Sequence, residues 1–128
     1  MVRSLILATG LSLMTPVSTN AGVWALVPDD APFQRVESLD TFLQIINAGN
    51  LRRFGITLEV LDNGRIEGSA FGRKVTGAWE WRDGYFCREL FWGRTELGAN
   101  CQEVKITGNT VRFTSDRGEG DFADLKVR

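Results

Sequence analysis

Asp62-Asn63-Gly64, Asp83-Gly84 and Gly108-Asn109 cut the second half of the chain into segments too short for a bundle of helices. Asx-Gly and Gly-Asn pairs supply the positive φ that tight hairpins require, so each marks a reversal of direction. Between these points apolar and polar residues alternate, the pattern of strands with one face buried. Phe54, Ile56, Leu58 and Val60 share one face of a first strand, with Arg53, Thr57 and Glu59 on the other. Ile66, Gly68 and Ala70 continue on a second, and Gly72-Arg73-Lys74 turns into a third from Val75 to Trp81. Tyr85 to Trp92 is the fourth strand, and Gly93 to Asn100 reads as the longest loop. Strands at 101–106, 110–115 and 123–127 follow, with a glycine-broken acidic loop over 116–121. About seven short strands with closely spaced turns predict a mainly β fold, an antiparallel meander closing into a small barrel or sandwich.

Ahead of the strands, Leu39, Phe42, Leu43 and Ile46 recur at helical spacing after Ser38, a good N-cap. This predicts one short helix over 39–48 ending at Gly49, expected in the left-handed conformation. A helix so short is marginal alone, so it must lie against the sheet and plug one end. Residues 22–37, with Pro28, Asp29, Asp30 and Pro32, read as an extended lead-in, and 38–128 as a single domain.

The span from Val75 to Cys101 holds three of the four tryptophans, the only tyrosine and both cysteines. Pairing Cys87 with Cys101 orients the middle strands. Gln102, Val104 and Ile106 form an apolar-dominated set that belongs inside, which puts Cys101 outside and Cys87 with it. Tyr85, Glu89 and Phe91 then face out, and Phe86, Arg88, Leu90 and Trp92 face in. Arg88 and Gln102 are thus polar groups aimed into an apolar interior. A buried guanidinium needs a carboxylate, several carbonyls or a ligand anion. Either Arg88 is satisfied locally at the barrel mouth, or it holds a small acidic ligand beside Gln102, Trp79, Trp81 and Trp92. Outward Tyr85 and Phe91 offer a second possibility, a patch for a partner protein, unless the lead-in or the helix covers them.

Composition excludes more than it assigns. The chain of 128 residues contains no histidine, which removes the commonest general base, the usual zinc ligand and every histidine-based triad. Net charge is −1 and the 15 basic residues are scattered along the sequence, so nucleic acid is not an expected partner. The 116–121 segment lacks the spacing of a calcium loop, and no glycine-rich nucleotide loop joins a strand to a helix. Glu59, Glu67, Glu80 and Glu103 fall on polar faces rather than in pairs across a cleft. No catalytic residue, metal ligand or cofactor site is expected.

The start of the chain reads as an export signal over 1–21: Arg3, an apolar run from Leu5 to Met14, and small residues at Thr19-Asn20-Ala21. Val23-Trp24-Ala25 is an alternative cleavage point. The apolar run is about half the ~20 residues that a membrane span needs, so no span is expected after cleavage. Two cysteines in an exported chain are expected to pair, in the periplasm or outside the cell.

The segments Arg53-Phe54-Gly55-Ile56, Gly77-Ala78-Trp79-Glu80-Trp81, Asp83-Gly84-Tyr85-Phe86-Cys87-Arg88, Asn100-Cys101-Gln102 and Arg112-Phe113-Thr114-Ser115-Asp116-Arg117-Gly118 resemble a group of short exported bacterial proteins of unestablished role. Some members carry the label dihydrodipicolinate reductase. The enzyme of that name uses a nicotinamide, a glycine-rich loop and catalytic histidines, none of which this chain has a place for. The resemblance therefore implies a compartment and a disulfide, not a mechanism. The residues together point to a non-enzymatic exported barrel that binds a small molecule or a partner protein, with hydrolase inhibition or an envelope structural role as alternatives.

Overall fold

A computed structural model describes residues 32–128. The signal segment, both cleavage points and most of the lead-in lie outside the described residues. The fold is mainly β, as expected, but with nine strands among the described residues. In chain order these are β1 (Gln34–Arg35), β2 (Leu51–Arg53), β3 (Ile56–Val60), β4 (Arg65–Ala70), β5 (Arg73–Arg82), β6 (Tyr85–Trp92), β7 (Thr95–Thr107), β8 (Thr110–Thr114) and β9 (Phe122–Val127). Helix α1 (Leu39–Asn47) follows β1, and a short turn α2 (Ser115–Gly118) separates β8 from β9. Strands β2 to β9 form a closed antiparallel barrel of eight, because β9 pairs with β2 and β8 with β7. β1 is the extra strand, laid on β7 opposite Lys105 and Ile106.

Closure joins the two ends of the barrel sequence. Leu51 and Arg52 pair with Val127 and Lys126, and Asn50 and Arg128 exchange backbone hydrogen bonds of 2.8 and 2.9 Å beside them. Gly49 is a glycine for this reason and not for a left-handed turn. A side chain there would run into the backbone of Arg128.

Helix α1 plugs one end. Ser38 caps it, its hydroxyl accepting the Thr41 N–H at 3.2 Å. The buried stripe is Phe42, Ile45 and Ile46, while Leu39 is 41% exposed, so the inward face is rotated toward Ile45 relative to the sequence expectation. Fully buried Phe42 sits among Trp79, Trp81 and Phe86, with ring centroids 5.2, 4.9 and 5.1 Å away. Phe86 in turn meets Phe113 at 5.4 Å, carrying the core from the helix into the barrel.

Two further expectations are corrected. Phe54 and Gly55 are not strand residues but the turn between β2 and β3, and Phe54 is 93% exposed rather than inward. Gly93 to Asn100 is not a long loop: β7 begins at Thr95, directly after a tight turn, with a bulge where Leu90 and Phe91 face Gly98 and Glu96. Polar and glycine residues hid this strand start, because the bulge breaks alternation. The acidic 116–121 segment includes the α2 turn, in which Asp116 and Arg117 both take positive φ. The lead-in is also partly structural, since Val36 is buried and its N–H donates to the Val104 carbonyl at 2.8 Å.

Candidate functional site

The registers show which side chains the barrel gathers. Cys87 lies directly opposite Cys101 on β6 and β7, their Cα atoms 3.9 Å apart, and the two form a disulfide. Phe86, Arg88 and Leu90 alternate with Cys87 and line the interior, together with Gln102 from β7. They line a half-open cavity of about 210 Å³ whose other walls include Leu58, Val60, Ile66, Phe113 and Leu125. Phe86 belongs both to its floor and to the aromatic cluster under the helix. The void therefore begins where the plug ends.

Arg88 is half-buried in this wall. One of its terminal nitrogens donates to the Gly98 carbonyl at 3.0 Å, and no carboxylate pairs with it among the described residues. Burial pushes its pKa down from the ordinary arginine value, yet a guanidinium remains charged at any physiological pH. A guanidinium has five N–H donors in a planar fork suited to a carboxylate. With one donor used, the other nitrogens have no protein partner and are not fully buried, and the residue borders both the interior cavity and a second hollow beyond it. Gln102 stands beside it, its amide nitrogen donating to the Ser115 hydroxyl at 3.3 Å.

Sequence reasoning missed Arg53, which lines the same cavity from the end of β2. The alternation puts it on the outer face, because the pattern runs straight through Phe54 and Gly55. Placing the turn there, as Gly55 with φ of 75° does, sets Arg53 opposite Ile56 and on the inward side with Leu51. Among the described residues, two cationic groups, the Gln102 amide and no carboxylate thus border an otherwise apolar chamber.

Trp79 stands directly opposite Arg88 across β5 and β6 and borders the second hollow with it, but none of the three tryptophans lines the interior cavity. Trp79 is buried under α1, its indole N–H donating to the Leu61 carbonyl at 2.7 Å, and Trp81 stacks on Phe42. Trp92 is toward the other end, bonded to the Ala70 carbonyl at 2.8 Å and covered by the Arg73 guanidinium at 4.4 Å. Tyr85 and Phe91 occupy opposite ends of the outer face of β6, about 20 Å apart at ~3.3 Å per residue, too far for one small patch. The Tyr85 ring is flanked by the guanidinium groups of Arg35 and Arg117 at 4.8 and 5.3 Å.

This second hollow, a wider concavity of about 450 Å³, lies over the disulfide, bordered by Trp79, Glu80, Arg82, Arg88, Glu89 and Asn100. Three of its polar side chains are already engaged. Glu80 pairs with Arg82, and Asn100 binds both the backbone N–H and the carboxylate of Asp116. Arg88 borders both hollows, and the interior chamber is the stronger candidate because Arg53, Arg88 and Gln102 are its sole polar lining among the described residues, around an otherwise apolar wall.

Fold and chamber together define a small disulfide-bonded antiparallel β-barrel with a cationic interior pocket. Comparison with protein-family models, with curated proteins and with solved structures finds no match.

Proposed function

We propose that the barrel is a non-enzymatic binding domain for a small carboxylate with a short apolar body, working in the periplasm or outside the cell. The observation that carries this reading is Arg88: a half-buried guanidinium with one carbonyl partner, on the wall of an apolar chamber. The carboxylate would take the open fork of Arg88 beside Gln102, and its apolar body would lie against Leu58, Phe113 and Leu125. Size limits the ligand. About 210 Å³ equals roughly seven waters at ~30 Å³ each, below the ~300 Å³ of drug-sized sites. The compartment is supported by the disulfide, since such bonds persist in oxidising surroundings. Among the described residues no helix is long and apolar enough to cross a membrane.

Calorimetric titration with benzoate and a series of short fatty acids, each against its matching alcohol, tests the reading. Acids are expected to bind and alcohols to bind at least about tenfold more weakly, because only the anion satisfies the guanidinium. Affinity should stay constant down to the ligand's own pKa and fall about tenfold per pH unit below it, since Arg88 itself does not titrate there. Arg88→Met should keep the fold and lose the discrimination. Equal affinity for acids and alcohols, or an unaffected Arg88→Met protein, would refute the proposal.

A further inference from the structure

Antiparallel closure sorts the hairpin turns into two sets, and the sets differ in chemistry. At the helix end the turns are Asp62-Asn63-Gly64, Asp83-Gly84 and Gly108-Asn109, residues whose backbones suit tight reversal. At the open end β2–β3 turns through Phe54-Gly55, β4–β5 through Phe71-Gly72 and β6–β7 through Gly93-Arg94. Phe71-Gly72 has φ of 50° and 79°, matching Asp83-Gly84 at 54° and 83°. The same turn is thus built once with aspartate and once with phenylalanine, for which positive φ is sterically disfavoured. The ring does not repay this by burial, being 62% exposed, and Phe54 beside it is 93% exposed.

The turns adjoin one another. Phe71 donates its N–H to the Gly55 carbonyl at 2.7 Å and lays its ring against Gly55. Gly93 bonds to the Lys74 carbonyl at 2.7 Å, and the Arg73 guanidinium lies against it. Arg52, Arg53, Arg73, Lys74 and Arg94 cluster within these turns, where Glu96 is the sole carboxylate. None of the five forms an ion pair among the described residues. Cations scattered in the sequence are therefore collected on one lobe of the rim. The remaining connection at that end, 115–121, carries Asp116, Glu119 and Asp121, so the basic character is one-sided.

We infer that this lobe docks on an anionic lipid bilayer, with Phe54 and Phe71 entering the headgroup–acyl boundary and the five cations neutralising lipid phosphates. Convex aromatic tips ringed by unpaired cations have the composition of an interfacial anchor, in which apolar burial and attraction to anionic lipid add. Apart from Arg53, which also borders the chamber, the lobe shares no residue with the ligand reading.

Flotation with vesicles of phosphatidylglycerol, compared with vesicles of phosphatidylcholine, tests it. The protein should float with the anionic vesicles, not with the neutral ones, and be released by high salt. The double variant Phe54→Ser, Phe71→Gly should bind at least about tenfold more weakly. It should fold as well as the parent, because glycine suits the backbone at 71, and circular dichroism checks this. Absence of flotation with phosphatidylglycerol, or equal flotation of the double variant, would overturn the inference. Capture by polyglutamate without vesicle binding would also overturn it, assigning the lobe to an acidic macromolecule instead.

Discussion

At Gly77 the backbone of β5 passes so close to the Glu89 carbonyl on β6 that a side chain would collide with it, and Gly68 stands in the same relation to the Thr57 carbonyl. Both glycines lie in the middle of paired strands, where glycine ordinarily weakens a sheet. Their use here is curvature: without a Cβ two strands can press together and bend enough for eight of them to close. Gly77→Val is expected to destabilise the protein by about 2–3 kcal/mol or more, through overpacking against a carbonyl that cannot move aside. Urea unfolding checks this, and a change below about 0.5 kcal/mol, the scale of ordinary surface substitutions, would show that the close approach is not structural.

Among the elements, α1 does the most for its length. One face carries Phe42, and that ring fills the gap among Trp79, Trp81 and Phe86 at the barrel floor. Phe42→Ala should cost about 3–5 kcal/mol and lower the melting temperature accordingly, since a fully buried aromatic leaves a cavity that rigid strands cannot fill. A drop near that of an exposed helix substitution would mean the helix is an ornament and the barrel closes without it. Helix, cap and most strands were legible because their signals are local: Ser38 before a periodic stripe, Asx-Gly before alternation. The interior set Phe86, Arg88, Leu90 and Gln102 was legible too, because a cross-strand cysteine pair fixes which face is out. What escaped was whatever breaks period. Phe54-Gly55 reads as strand because phenylalanine favours strands, which hid a turn and with it the inward position of Arg53. The bulge near Leu90 hid the first half of β7. That the tryptophan rings go to the floor and the far end, and not into the interior chamber, depends on where the helix docks, and no local pattern encodes that.

For the molecule as a whole, the disulfide and the chamber have separable roles. Cys87 and Cys101 close a segment that β6 and β7 already hold as a hairpin, so the bond restrains the unfolded chain more than it shapes the barrel. The variant Cys87→Ala, Cys101→Ala should therefore fold, lose at most about 3 kcal/mol, and still bind ligand. Loss of the folded state at neutral pH and room temperature would contradict that separation. The chamber and its cation are the centre of the account, and they are tested most directly by native mass spectrometry of the protein purified from its own host, beside an Arg88→Met variant prepared identically. The expected spectrum shows the parent carrying a small acidic adduct, released on mild activation, and the variant without it. An adduct retained equally by both proteins would place any ligand elsewhere and contradict the role given to Arg88.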